Sequence, residues 1–313
     1  MAMIELTRIL VPVDFSDHSQ HAVAYAVGIA RWYGAGITAL HVFVNGPAAN
    51  VIPSLYPVAP APVSLGSIRD ALTTHMRGFV GAAAAHDVPI EVAVEEAPNV
   101  TREILVQAEA LKADLIVMGT HGRSVLERFM LGSTTERVLR RATTCPVMVV
   151  PPRAPETPVS DPVQFHRILC PVDFSEGSLA ALTYALSLAE EADAHLTLLH
   201  AIELSPGLDD MTMPPDFNVQ ALREAAEADV RRRLDGLVPD SVREYCTVHT
   251  MVVEGRASRT ILRVAAERDA DLIVMGIHGR GVFDLMLFGS NTHHVLRAAT
   301  CPVLTVRVRG ANA

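Results

Sequence analysis

Lysine is almost missing from this chain. Of 313 residues, only Lys112 is a lysine, and it stands in Leu111-Lys112-Ala113-Asp114 with no glycine-rich run before it. A Walker A loop needs its lysine on the phosphates, so P-loop NTPase chemistry is excluded. Cysteine is also scarce. Cys145, Cys170, Cys246 and Cys301 form no CxxC pair, and Cys145, Cys170 and Cys301 sit directly before proline. They read as small core residues in a reducing compartment, not as a disulfide or zinc framework. No uninterrupted apolar run reaches the roughly 18 residues of a membrane span. The stretch Met1–Leu10 lacks the basic-then-apolar pattern of a signal peptide. A cytoplasmic location is expected. Positive charge is short as well. Residues 1–157 hold 12 basic and 14 acidic groups, residues 158–313 hold 14 and 21, and the net charge is −9. Neither half has the composition of a nucleic-acid binder.

Apolar residues make up 50% of the chain, ample for burial, and the length suggests two domains of about 150 residues. The two domains are copies. Arg8-Ile9-Leu10-Val11-Pro12-Val13-Asp14-Phe15-Ser16 returns as Arg167-Ile168-Leu169-Cys170-Pro171-Val172-Asp173-Phe174-Ser175. Asp114-Leu115-Ile116-Val117-Met118-Gly119 returns from Asp271 to Gly276, and Thr144-Cys145-Pro146-Val147 from Thr300 to Val303. The offsets of 159, 157 and 156 are nearly constant, the mark of a duplication with small loop changes. The predicted domains are 1–152 and 165–313. The linker 153–164 lies in the proline-rich stretch Pro151–Gln164.

Each half reads as alternating strands and helices. Apolar runs predict strands at 8–13, 37–44, 89–96, 114–119 and 146–151, then at 167–172, 195–202, 246–254, 271–276 and 302–308. Helical periodicity marks 17–33, 100–111 and 218–236 among others. Runs such as Leu115-Ile116-Val117-Met118 lack polar alternation, as expected of parallel strands buried on both faces. The pattern predicts an α/β fold of two tandem doubly wound parallel sheets. Two long connections, Asn45–Ser67 and Glu203–Asn218, follow the second strand of each half. Loops of that length serve as lids or binding loops.

The chemistry-bearing pattern follows the fourth strand. Gly119-Thr120-His121-Gly122 is followed nine residues later by Gly132-Ser133, which opens a helix; Gly276-Ile277-His278-Gly279 is followed likewise by Gly289-Ser290. Glycines let backbone N–H groups approach an anion, and a helix start offers unpaired donors and a partial positive charge. The competing reading is structural. Ser133 and Glu136 have the spacing of a capping box, and the glycines could serve turns alone. The second copy has His293 in place of that glutamate yet keeps both glycine spacings and the serine. Asp14 and Asp173 end the first strand of each half. There an acidic side chain contacts a ribose or adenine, or it caps the next helix, a task Ser16 or Ser175 could share. His121 and His278 match between the halves, as do His41 and His200. No HExxH or HxH set is present, so no dedicated metal site is expected. No catalytic Ser-His-Asp or Cys-His arrangement is readable.

The I-L-V-P-V-D-F-S start, the G-x2-G-x9-G-S loop and the T-C-P-V-[ML]-x-V ending resemble the universal stress protein family in its tandem-domain form. The glycine loop resembles that of its ATP-binding branch. The resemblance implies strand order 3-2-1-4-5 and pairing of the two halves through Val147–Val150 and Val303–Val306 as an internal pseudo-dimer. It implies ATP as ligand, with Mg2+ carried by the nucleotide. The implied contacts in the first half are Pro12, Val13, Asp14 and Val42 for the adenosine part. Met118, Gly119, His121, Gly122, Arg123, Gly132, Ser133 and Thr134 complete that site around the phosphates. In the second half they are Pro171, Val172, Asp173, Ala201, Met275, Gly276, His278, Gly279, Arg280, Gly289, Ser290 and Asn291. Ala201 has two methyls fewer than Val42, worth on the order of 1 kcal/mol or less, so the second site is expected to be weaker.

Three functions follow from the sequence. The first is a cytoplasmic ATP-binding stress regulator in which binding is the main event, with regulatory protein partners that the sequence does not identify. The second is a slow ATPase or phosphotransferase. The third is a module for a lipid-like ligand closed over by the two long loops. Symmetric association of two tandem chains is the default for assembly.

Overall fold

In a computed structural model of the chain, the described residues are 4–44, 65–81, 87–120, 131–143, 145–152, 163–203, 219–244, 246–277 and 289–308. They divide into two compact units, one from Glu5 to Gln164 and one from Phe165 onward that also takes in Ile4. The first unit contains β1 (Arg8–Pro12), α1 (Asp17–Tyr33), β2 (Gly36–Phe43), α2 (Leu65–Gly81), β3 (Ile90–Glu96), α3 (Val100–Ala110), β4 (Leu115–Gly119), α4 (Ser133–Arg141) and β5 (Val147–Val150). The second contains β6 (Arg167–Pro171), α5 (Glu176–Ala192), β7 (His195–Ile202), α6 (Val219–Asp235), a short α7 (Asp240–Arg243), β8 (Val248–Glu254), α8 (Ala257–Glu267), β9 (Leu272–Ile277), α9 (Ser290–Ala298) and β10 (Val303–Arg307). α7 is one turn long and starts after Pro239, too short to carry a helical period in the sequence.

The strands are parallel, in order β3-β2-β1-β4-β5 in the first unit and β8-β7-β6-β9-β10 in the second. All five residues of β4 are buried, which explains why Leu-Ile-Val-Met-Gly shows no polar alternation. The order reverses direction between β1 and β4, and between β6 and β9. The carboxyl ends of those strands therefore flank the crevice where open α/β sheets take ligands. α1 packs on β4 and α5 on β9.

A half-buried carboxylate staples each switch point at its far end. Asp114 accepts from the N–H of Thr7 and of Arg8, both at 2.9 Å, and from the Thr7 hydroxyl at 2.8 Å. Asp271 accepts from His166 N–H at 2.7 Å and Arg167 N–H at 3.0 Å. Burial pushes the Asp271 carboxyl above its ordinary value, against the pull of those two backbone donors. Val163 packs on α1, where a Cβ on Gly28 would lie 2.9 Å from the Val163 Cβ. Phe165, fully buried, leads into β6. No described helix is long and apolar enough to cross a membrane.

Candidate functional site

β1 ends at Pro12, but its pairing with β2 runs one residue further: Val13 N–H donates to Leu40 O at 2.8 Å. The chain then turns through Asp14, Phe15 and Ser16 into α1. Asp14 Oδ1 accepts from the Ser16 N–H at 3.1 Å and from the Ser16 hydroxyl at 2.5 Å. Ser16 Oγ in turn accepts from the Ser19 N–H and caps α1. The cap is therefore Ser16, and Asp14 orients the cap. The second unit repeats this: Asp173 Oδ1 holds the Ser175 N–H at 3.1 Å and its hydroxyl at 2.6 Å, and Ser175 caps α5.

Between the aspartate and the serine, Phe15 has φ 64° and Phe174 has φ 61°. Left-handed backbone is rare for a bulky residue and costs about 1–3 kcal/mol. Both rings are held by neighbours. The Phe15 ring lies 4.5 Å from that of His41, stacks at 4.4 Å on His75 and meets Phe79 edge-on. The Phe174 ring lies 5.1 Å from that of His200, with the Arg233 guanidinium 3.9 Å above its face. His41 Nδ1–H donates to Val13 O at 2.8 Å, and His200 Nδ1–H to Val172 O at 2.7 Å. The sequence flagged His41 and His200 only as a matched pair. The signal for their role was the Phe in each copy of the Asp-Phe-Ser turn.

The carboxyl end of β4 is crowded by α1. A Cβ on Gly119 would lie 2.9 Å from the His18 Cβ and 3.0 Å from the His18 carbonyl oxygen. A Cβ on Gly276 would overlap the Gly177 carbonyl in α5. These two glycines thus serve close helix–strand packing, a reason absent from the sequence reading. From Gly119 the path returns to α4. Gly132 N–H donates to Thr120 O at 2.7 Å, and the buried Thr135 hydroxyl donates to Gly119 O at 2.8 Å. Gly119 and the α4 start at Gly132, Ser133 and Thr134 are thereby brought together, and α1, which follows the Asp14 turn, packs on the same end of β4.

The capping box read from Ser133 and Glu136 is not formed. The N-cap of α4 is Gly132, with no side-chain cap, and Ser133 is the first helical residue. That shift moves Glu136 one place too far along the helix to reach back, and its carboxylate pairs instead with Arg140 at 2.6 Å. α9 starts the same way, N-capped by Gly289 without a side-chain cap. Gly289 has φ −53°, which any residue adopts, and among the described residues nothing lies within 4 Å of where its Cβ would be. His121, Gly122, Arg123, His278, Gly279 and Arg280 lie outside the described residues, as do most of the two long connections.

The sequence matches the universal stress protein family twice, over residues 5–151 and 164–307. The chain belongs to the universal stress protein family. A universal stress protein of Mycobacterium tuberculosis is 30% identical over 308 residues, covering 96% of each chain. One from Thermus aquaticus is 33% identical over 143 residues, 46% of this chain and 99% of that one. The solved universal stress protein of Archaeoglobus fulgidus superposes with a TM-score of 0.67 at 23% identity, covering 98% of this chain and 100% of that one, and so shares the fold.

Proposed function

We propose that each half of this universal stress protein binds an adenine nucleotide, ATP, and that the chain acts as a cytoplasmic regulator through binding. The observation that carries the reading is the glycine at the start of α9. Neither its backbone angle nor any described neighbour requires a glycine at 289, and the helix it opens has no side-chain cap. Phosphate oxygens close to those backbone N–H groups would explain both. In the first half the uncapped start of α4 plays the same part, with Ser133 and Thr134 beside it.

Asp14 and Asp173 stand at the switch point with the purine and ribose end of the ligand. Each holds a seryl hydroxyl with one oxygen, which fixes the orientation of the carboxylate for a ligand contact. Val42 and Ala201 would flank the base, with the weaker contact at Ala201. Mg2+ would arrive with the nucleotide, coordinated by its phosphates. The four free, buried thiols favour a reducing compartment.

The deciding experiment is calorimetric titration of nucleotide-stripped protein with ATP, with and without magnesium and with cAMP as competitor. Two saturable sites per chain are expected, one weaker than the other. No saturable binding would sink the proposal, and hydrophobic molecules released from fresh protein on mass spectrometry would favour a lipid-like ligand instead.

A further inference from the structure

We infer that His41 and His200 are positioning residues that hold the acidic turns Asp14 and Asp173 in place from both sides. What Asp14 touches rests on the nucleotide reading above; that it is held does not. Each histidine makes two contacts that straddle the aspartate. On one side its Nδ1–H donates to the carbonyl of the preceding valine, at 2.8 Å for Val13 and 2.7 Å for Val172. On the other its ring packs against the following phenylalanine, Phe15 or Phe174.

The backbone needs such a clamp. With φ near +60°, Phe15 and Phe174 relax to an ordinary conformation unless surrounding contacts forbid it. Relaxation would swing the adjacent aspartate away from its serine. The contacts from the helix side differ between halves, with His75 stacked on Phe15 and Arg233 over Phe174. The contact from the strand side is the same imidazole on the same two partners. Ordinary strand pairing extends to the Val13 N–H and stops there. The carbonyl of Val13 is satisfied by a side chain that also reaches Phe15, so one residue couples the end of β1 to the turn.

This geometry fixes the tautomer. A carbonyl oxygen only accepts, so Nδ1 carries the proton at both histidines.

Three measurements on the full chain test the inference. Nitrogen NMR should show His41 and His200 protonated at Nδ1, whereas solvent-exposed histidines favour Nε2. Hydrogen exchange should show the Ser16 amide, which donates to Asp14, at least tenfold faster in His41→Phe than in wild type. That variant keeps a ring beside Phe15 but loses the donor. The Ile116 amide, which donates to Pro146 O in the sheet, should be unchanged, separating local release from global destabilisation. His41→Asn, whose amide N–H can replace Nδ1–H, should restore most of the protection at Ser16. Nucleotide titration of His41→Phe should then show one of the two sites weakened at least tenfold.

Unchanged Ser16 exchange in His41→Phe, or Nε2 protonation at both histidines, overturns the inference. So does wild-type affinity at both sites of His41→Phe. Wild-type protein that fails to bind ATP but shows the exchange effect overturns the nucleotide reading and leaves the positioning role standing.

Discussion

Gly276 at the end of β9 lies against Gly177 in the first turn of α5, so close that a methyl group on Gly276 would overlap the Gly177 carbonyl. The helix start and the strand end can approach this closely because Gly276 lacks a Cβ. Gly276→Ala should therefore destabilise the protein by about 1–3 kcal/mol, the usual range for overpacking. Gly119→Ala, which meets His18 at 2.9 Å, should cost less. Urea unfolding of the two variants side by side checks the order, and a Gly276→Ala midpoint equal to wild type would contradict the packing.

Thr135 ties α4 to the end of β4 through its buried bond to Gly119 O. Thr135→Val keeps the shape and removes the donor, stranding a buried carbonyl, at a cost of about 1–3 kcal/mol. The same urea titration reads it. Thr135→Ser, which retains the hydroxyl, should lose less.

The thiols should be inert in the folded chain. Burial pushes the Cys170 thiol far up, and pushes that of Cys301 up to about 12, with the Asp271 carboxylate adding to the effect. Only the thiolate reacts. Alkylation with iodoacetamide at pH 8, followed by mass spectrometry, should leave Cys170 and Cys301 unmodified in native protein and modified in urea. Rapid native labelling of either would show that β6 or the start of β10 opens readily.

Asp271 should make stability depend on pH in the direction opposite to a surface-paired carboxylate. Its folded value is raised by burial, so the folded state holds the proton more tightly than the unfolded chain. The associated stability is fully present below the unfolded value, near 3.8, and is lost as pH rises through the raised folded value. Asp271→Asn does not titrate. The unfolding free energy of wild type minus that of Asp271→Asn should accordingly increase between pH 7 and pH 4; a decrease would show that the backbone donors at His166 and Arg167 outweigh desolvation.

The strands were legible because buried parallel strands are written as unbroken apolar runs, and the duplication supplied a second reading of each. β2 was expected at 37–44 and runs Gly36–Phe43; β8 was expected from 246 and begins at Val248. Such end shifts depend on hydrogen-bond partners across the sheet, which no single segment encodes. The start of α4 was placed correctly at Ser133, yet its cap was misassigned. Ser133 and Glu136 match the capping spacing, and only the backbone shows that Gly132 occupies the cap. The left-handed Phe15 and Phe174 were not readable at all, because local preference argues against that conformation for an aromatic residue. Contacts distant in sequence, from His41, His75, His200 and Arg233, impose it.

Most substitutions at a binding site also change how much folded protein a cell contains, and the two effects are hard to separate in a phenotype. Gly289 offers a way around this. With an ordinary backbone angle and no described neighbour within 4 Å of its missing Cβ, it accepts alanine at a folding cost within about 1 kcal/mol. On the nucleotide reading proposed above, an allele carrying Gly289→Ala should accumulate to wild-type abundance while its second half no longer binds nucleotide. Immunoblotting would confirm the level, and any growth defect under stress would then be traceable to the site rather than to dosage.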